Sequence, residues 1–157
     1  MYKIGDKIVY PMHGAGTIEK IESREILGET KDYYILNVSC GGMGLMLPVD
    51  NCDKIGVRAI VSDEELSAAL CILAEESTKM AENWNKRQRE NMDKLKTGRI
   101  DVTAEIVRNL TRIDRDRKLS AGEKKMLSNA RRILVSEVML VRGIGESEAL
   151  KLIEEAI

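Results

Sequence analysis

Four side chains of this 157-residue chain are of the types that most often carry covalent or metal chemistry: His13, Cys40, Cys52 and Cys71. A catalytic cysteine needs a base within hydrogen-bond reach, and a zinc site needs several ligands at set spacings. Here the single histidine sits in a "PMHG" turn with no nucleophile or carboxylate beside it, and no C-x-x-C pair occurs. An odd number of scattered cysteines is read as small buried thiols of a reducing compartment, not as a disulfide framework. Carboxylates are plentiful, but they fall at helix starts and on helix surfaces, where the macrodipole and solvation account for them. "HGAG" (13–16) lacks the Lys-Ser/Thr of a phosphate loop, and "GGMG" (41–44) lacks a following helix. "RGIGES" (142–147) is acidic in its surroundings and reads as a helix–helix turn. No enzyme, cofactor or metal is expected.

The residues that point to another chemistry lie in "AENWNKRQRENMDKLK" (81–96). Trp84 is the only tryptophan of a chain without phenylalanine, and Lys86, Arg87 and Arg89 follow it within two turns. A flat apolar group ringed by cations suits insertion against base steps while the charges hold phosphates. Met80, Trp84 and Leu95 also share one helical face, which suits a core stripe. With Asn83 as N-cap, Trp84 becomes the first helical residue, at the tip of the helix. From the residues alone, wedge and core anchor both stand.

These residues must be positioned by two halves of different period. Residues 1–60 hold short, roughly alternating runs rich in Val, Ile and Tyr: "KIVYP", "AGTIEKIESREI", "DYYILNVS" and "GLMLPV". Turn signals separate them, and both prolines, Pro11 and Pro48, fall at strand ends. Four or five strands in this length predict a small, strongly bent Tudor- or SH3-like β-barrel. A short strand such as "GLMLP" can leave a sheet edge free for a partner's strand. From Val61 the period is helical. Ser62 and Glu65 predict a capping box ahead of Leu66, Leu70 and Leu73. Further helices are expected at about 83–96, with Gly98 near its end, at 102–117, from Ser120 to Leu140, and after Gly143. Ser120 and Glu123 predict a second capping box. The fold class is α+β, with a β module over 1–60 and a compact all-α unit over 61–157. No long linker intervenes, so the halves are expected to abut.

Hydrophobic residues make up 43% of the chain, enough for a packed core, while aromatic residues make up 3%, so aliphatic side chains must fill it. The net charge of −1 hides an asymmetry, because residues 79–142 carry 17 basic against 9 acidic side chains. Such a block attracts phosphates or merely solvates helices. No apolar span is long enough to cross a membrane. A cytoplasmic monomer is the expectation.

Three stretches, "GDKIVYPMHGAGTIEKIESREILGE", "NWNKRQRENMDKLKTG" and "EIVRNLTRIDRDRKLSAGEKKMLSNARRIL", resemble the CarD/CdnL family of bacterial transcription regulators over nearly the whole chain. "Y-P-x-H-G" combined with "L-S-x-G-E-K-x-M-L" makes the resemblance specific. It implies that the N-terminal module is similar to the RNA polymerase-interacting domain of the transcription-repair coupling factor. That module would dock on the polymerase β subunit largely by strand pairing. Lacking helicase motifs, the chain resembles the stand-alone regulator. The resemblance places Arg24 and the Met46-Leu47-Pro48 strand on polymerase. Met46 stands where family members often carry arginine, a change that spares backbone pairing and removes a salt bridge. Trp84 would wedge into the minor groove of promoter DNA at the upstream edge of the melted bubble. Lys86, Arg87 and Arg89 would stand at the backbone beside it, and the open complex would be stabilised. Two rival classes are a free-standing DNA-architectural protein and a protein–protein adaptor with its tryptophan buried.

Overall fold

A computed structural model describes all residues from Met1 to Ile157. Its first half is a five-stranded antiparallel sheet in the order β4-β3-β2-β1-β5. The strands are β1 (Lys7–Tyr10), β2 (Gly14–Ile26), β3 (Glu29–Val38), β4 (Gly44–Pro48) and β5 (Arg58–Ala59). Ile8, Ile18, Tyr34, Leu36, Val38 and Leu47 alternate onto one face and form its core. β2 and β3 run on as a long hairpin whose two turn residues, Leu27 and Gly28, both have positive φ (53° and 80°). That is the turn geometry whose twist suits a two-residue hairpin. The pairing register shifts between Ile18 and Lys20, so a bulge at Glu19 changes which residues face outward beyond it. A one-turn helix, α1 (Cys52–Ile55), closed by Gly56 at φ 87°, fills the step to β5. The expected Tudor-like α+β architecture is present. The sequence reading did not separate α1 from the loop around it, because four residues carry too little helical period.

The second half contains α2 (Asp63–Ala74), α3 (Trp84–Leu95), α4 (Ile100–Asp116), α5 (Ala121–Arg142) and α6 (Glu146–Ala156). Leu66, Leu73, Leu95, Ile106, Val107, Leu110, Leu134 and Val138 form a continuous aliphatic core between them. No helix is long and apolar enough to cross a membrane. The Ser62–Glu65 capping box forms in both directions. At α5 only half of the expected box forms. Ser120 Oγ accepts from Glu123 N and donates to Glu123 Oε1, both at 3.3 Å, while the Glu123 carboxylate pairs with an arginine of α3 instead of the Ser120 backbone N–H. Cys40 and Cys52 are buried as expected, whereas Cys71 is exposed on α2.

Residues 75–83 cross from α2 to α3 as an irregular strap over α4. Arg108, only 1% exposed, donates to the Ile72 carbonyl at 3.0 Å. Arg112 donates to the carbonyls of Glu75 (2.6 Å) and Leu73 (3.2 Å). Two guanidinium groups thus satisfy the free carbonyls at the negative end of α2. Asn109 Nδ2 donates to Thr78 Oγ1 at 2.7 Å and pins the middle of the strap. These cations lie in the basic block, yet they serve the fold.

The halves do abut. Ala15 N on β2 donates to Ser136 Oγ on α5 at 2.8 Å, and Ser39 Oγ donates to the Ser136 carbonyl at 2.8 Å. Arg58 on β5 makes a bidentate pair with Glu137, next to Ser136, at 2.7 and 2.8 Å.

Candidate functional site

Trp84 is the first residue of α3. Asn83 Oδ1 accepts from the backbone N–H groups of Asn85 (2.9 Å) and Lys86 (3.2 Å), so the helix begins where the side chain of its N-cap can satisfy free donors. The indole is 52% exposed. It is therefore not a core anchor, and Met80 and Leu95 fill the stripe without it. Lys86 and Arg89 are exposed on the same helix; Lys86 has only a loose contact to Glu90 at 3.9 Å.

Arg87 departs from the expectation. It is 7% exposed, and its Nε and Nη2 donate to the two Glu123 carboxylate oxygens at 2.6 and 2.7 Å. Its Nη1 reaches the carbonyls of Ala81 (3.3 Å) and Glu82 (3.4 Å), just ahead of the N-cap. With its donors engaged inside the fold, it is a brace for Trp84 rather than a phosphate ligand. The hydrogen-bonded guanidinium holds the Glu123 carboxyl below its usual range, and Glu123 in turn raises the Arg87 guanidinium. Gln88 continues the brace. A Cβ at Gly122 would lie 2.9 Å from the Gln88 amide, so α3 and the start of α5 approach as closely as glycine allows.

The close approach leaves a groove of about 570 Å³ between α3 and α5. Lys125, Arg132, Asn129, Ser128 and Gln88 line it, and no carboxylate does. These α5 residues were not singled out from the sequence. Lys125, Ser128 or Asn129, and Arg132 recur at helical spacing, and that stripe was the available signal. Lys86 and Arg89 are thus exposed cations on α3, with Lys125 and Arg132 along the groove that α3 forms with α5.

The second set of residues gathers on the sheet. β4 is an edge strand with β3 as its only neighbour, and Leu47 within it is fully buried. Only the backbone of Leu47 can meet a partner. Met46, 39% exposed, and Pro48 point to the other face. Cross-strand partners share a face. The register therefore sets Met46 beside Ile35 and Lys20, and Pro48 beside Tyr33 and Glu22. Arg24, opposite Lys31, lies one row further along that same outer face, past the end of β4. Arg24 pairs with Glu22 at 2.8 Å, and Lys20 pairs with the same carboxylate at 2.6 Å. The Glu22 carboxyl is lowered by hydrogen bonds from Lys20 and then Arg24. Tyr33, Ile35 and the exposed hairpin residues Ile26 and Leu27 complete an outer face that the linear sequence did not reveal, because the bulge sets which residues share it.

His13 packs on Tyr10 with ring centres 4.3 Å apart and planes tilted by 56°, and burial, then Arg132, lowers its pKa. No group of three or more His, Cys, Asp or Glu side chains is placed to hold a metal.

Two family models match the chain. The one described as CarD, C-terminal domain, covers residues 68–154, and the one described as CarD-like/TRCF RID domain covers residues 2–61. YdeB of Bacillus subtilis (strain 168), whose name provisionally calls it a transcription factor, is 40% identical over 148 residues, spanning 94% of this chain and 97% of that protein. The chain belongs to the CarD family of transcription factors.

Proposed function

We propose that this protein binds the RNA polymerase β subunit through residues 1–60 and promoter DNA at the upstream edge of the bubble through residues 61–157, stabilising the open complex. The observation that carries the reading is the half-exposed Trp84 at a helix tip, on a helix braced through Arg87 and carrying the exposed cations Lys86 and Arg89. The match of residues 2–61 to the RID, a polymerase-interacting domain, supports the polymerase partner. An added strand would complete the edge at β4 through main-chain hydrogen bonds. Arg24 and the apolar outer face around Met46 would meet the same partner. Lys86 and Arg89 hold phosphates without reading sequence, and polymerase supplies the address. Trp84 packs against unstacked base steps and so favours distorted DNA over intact duplex. A differential of about 1.4 kcal/mol shifts such an equilibrium tenfold.

Footprinting a promoter with and without polymerase tests the division of labour. Protection at the upstream bubble edge only when both proteins are present is the expected result. Equal protection without polymerase would identify an architectural DNA binder instead. Polymerase binding with no change in the footprint would identify an adaptor.

A further inference from the structure

The two halves are held together by more than a covalent connection. Ser136 and Glu137 sit in the middle of α5, 0% and 2% exposed, in sequence between the buried Leu134, Val135 and Val138. Buried polar groups need directional partners. Here those partners come chiefly from the other half. Ser136 Oγ accepts from Ala15 N on β2, and the Ser136 carbonyl accepts from Ser39, which follows β3. Glu137 takes both arms of Arg58 on β5 and also accepts from Val61 N at 3.0 Å, in the connecting chain itself. Arg58 then donates to the Gly98 carbonyl at 2.9 Å, ahead of α4. A Cβ at Gly14 would lie 2.8 Å from Ser136 Oγ, so the sheet backbone touches α5 directly. β2 and the end of β3 are tied to Ser136, and β5 and the connection to its neighbour Glu137, on one helix.

An apolar interface would give comparable adhesion, whereas hydrogen-bonded charges fix one register. We infer that Ser136, Glu137 and Arg58 form a clamp that makes the molecule a rigid ruler, setting one separation between the polymerase-facing edge and Trp84. This inference rests on the function proposed above. It replaces a flexible tether, which spreads the wedge over a volume, with an arm that presents it at one place and orientation. The three are positioning residues, since none lies among the DNA- or polymerase-facing groups.

The test uses the full chain with spin labels on the exposed native Cys71 and on a Lys54→Cys substitution, one label per half; Cys40 and Cys52 are buried. Arg58→Gln combined with Glu137→Gln removes the charge pair and leaves neither charge unpaired. Double electron–electron resonance should give one narrow distance with the clamp intact and a broadened distribution in the double variant. Affinity for polymerase alone and for DNA alone should stay within about twofold, while the gain in open-complex lifetime falls roughly tenfold, as expected when only the joint geometry is lost. If the double variant melts below the assay temperature, Ser136→Ala carries the same expectations. A distance that stays narrow in a folded clamp variant overturns the ruler. So does a broadened distance beside undiminished open-complex lifetime, or a parallel loss of both separate affinities. A wild-type chain that fails to prolong the open complex overturns instead the functional reading beneath it, whatever the distance measurement shows.

Discussion

Arg87 and Arg89, three and five residues after Trp84, have opposite fates only because of what faces them. Arg87→Met would leave Glu123 charged and buried without its cation, and should cost about 3–5 kcal/mol. Lys86→Ala and Arg89→Ala should each change stability by about 0.5 kcal/mol or less. Their effect belongs to DNA, where each lost phosphate contact should lower the salt slope by about 0.9. Denaturant melts and binding at several salt concentrations separate the two classes. The Arg87–Glu123 pair also predicts a pH dependence. Because the folded Glu123 pKa is depressed from 4.5, its contribution is complete above the ordinary carboxylate range and is lost as pH falls through the lower, folded value. Acid unfolding of Glu123→Gln should show a weaker loss of stability below about pH 4.5 than the wild type; identical acid limbs would contradict the pairing. Asn83 beside Trp84 made the helix start legible in the sequence, since the cap is local. The role of Arg87 was not, because Glu123 lies 36 residues away and only the packing of α3 on α5 joins them.

At the scale of elements, local signals located the helices well. Ser62, Asn83 and Ser120 each cap the helix that follows. The sheet was legible as strands but not as faces. The bulge at Glu19 reverses the outward set on β2, so Arg24, Met46, Ile35 and Tyr33 come together only through register. That face predicts the outcome of restoring a cation on β4. Met46→Arg should leave the fold intact, since the side chain is exposed and Leu47 carries the core contact. Affinity for the polymerase β subunit should rise at low salt by up to about 1 kcal/mol, the range of an exposed ion pair, and the gain should vanish at high salt. Calorimetric titration at two salt concentrations checks this. A gain that survives high salt, or a loss of affinity, would mean that the partner meets Met46 with an apolar surface.

At the scale of the whole molecule, the change from strand to helical period near Val61 announced the β half and the helical half. The clamp across the junction was not legible. Ser136 and Glu137 sit in an otherwise apolar stretch of α5, and their partners are scattered from Ala15 to Val61. The charge ledger was also only half readable, since Arg87, Arg108 and Arg112 turn inward while Lys86, Arg89, Lys125 and Arg132 line the outer surface. On the proposed function, the molecule presents Trp84 as an apolar wedge at a set place relative to the sheet edge. The most direct measurement of that account is the decay of open promoter complexes with Trp84→Ala, taken beside its thermal melt. The expected result is a fold within about 0.5 kcal/mol of wild type, because the indole is half exposed, with polymerase binding unchanged and faster open-complex decay. An unchanged decay rate in the folded variant would contradict the wedge, and a stability loss of about 3–5 kcal/mol would return Trp84 to the core.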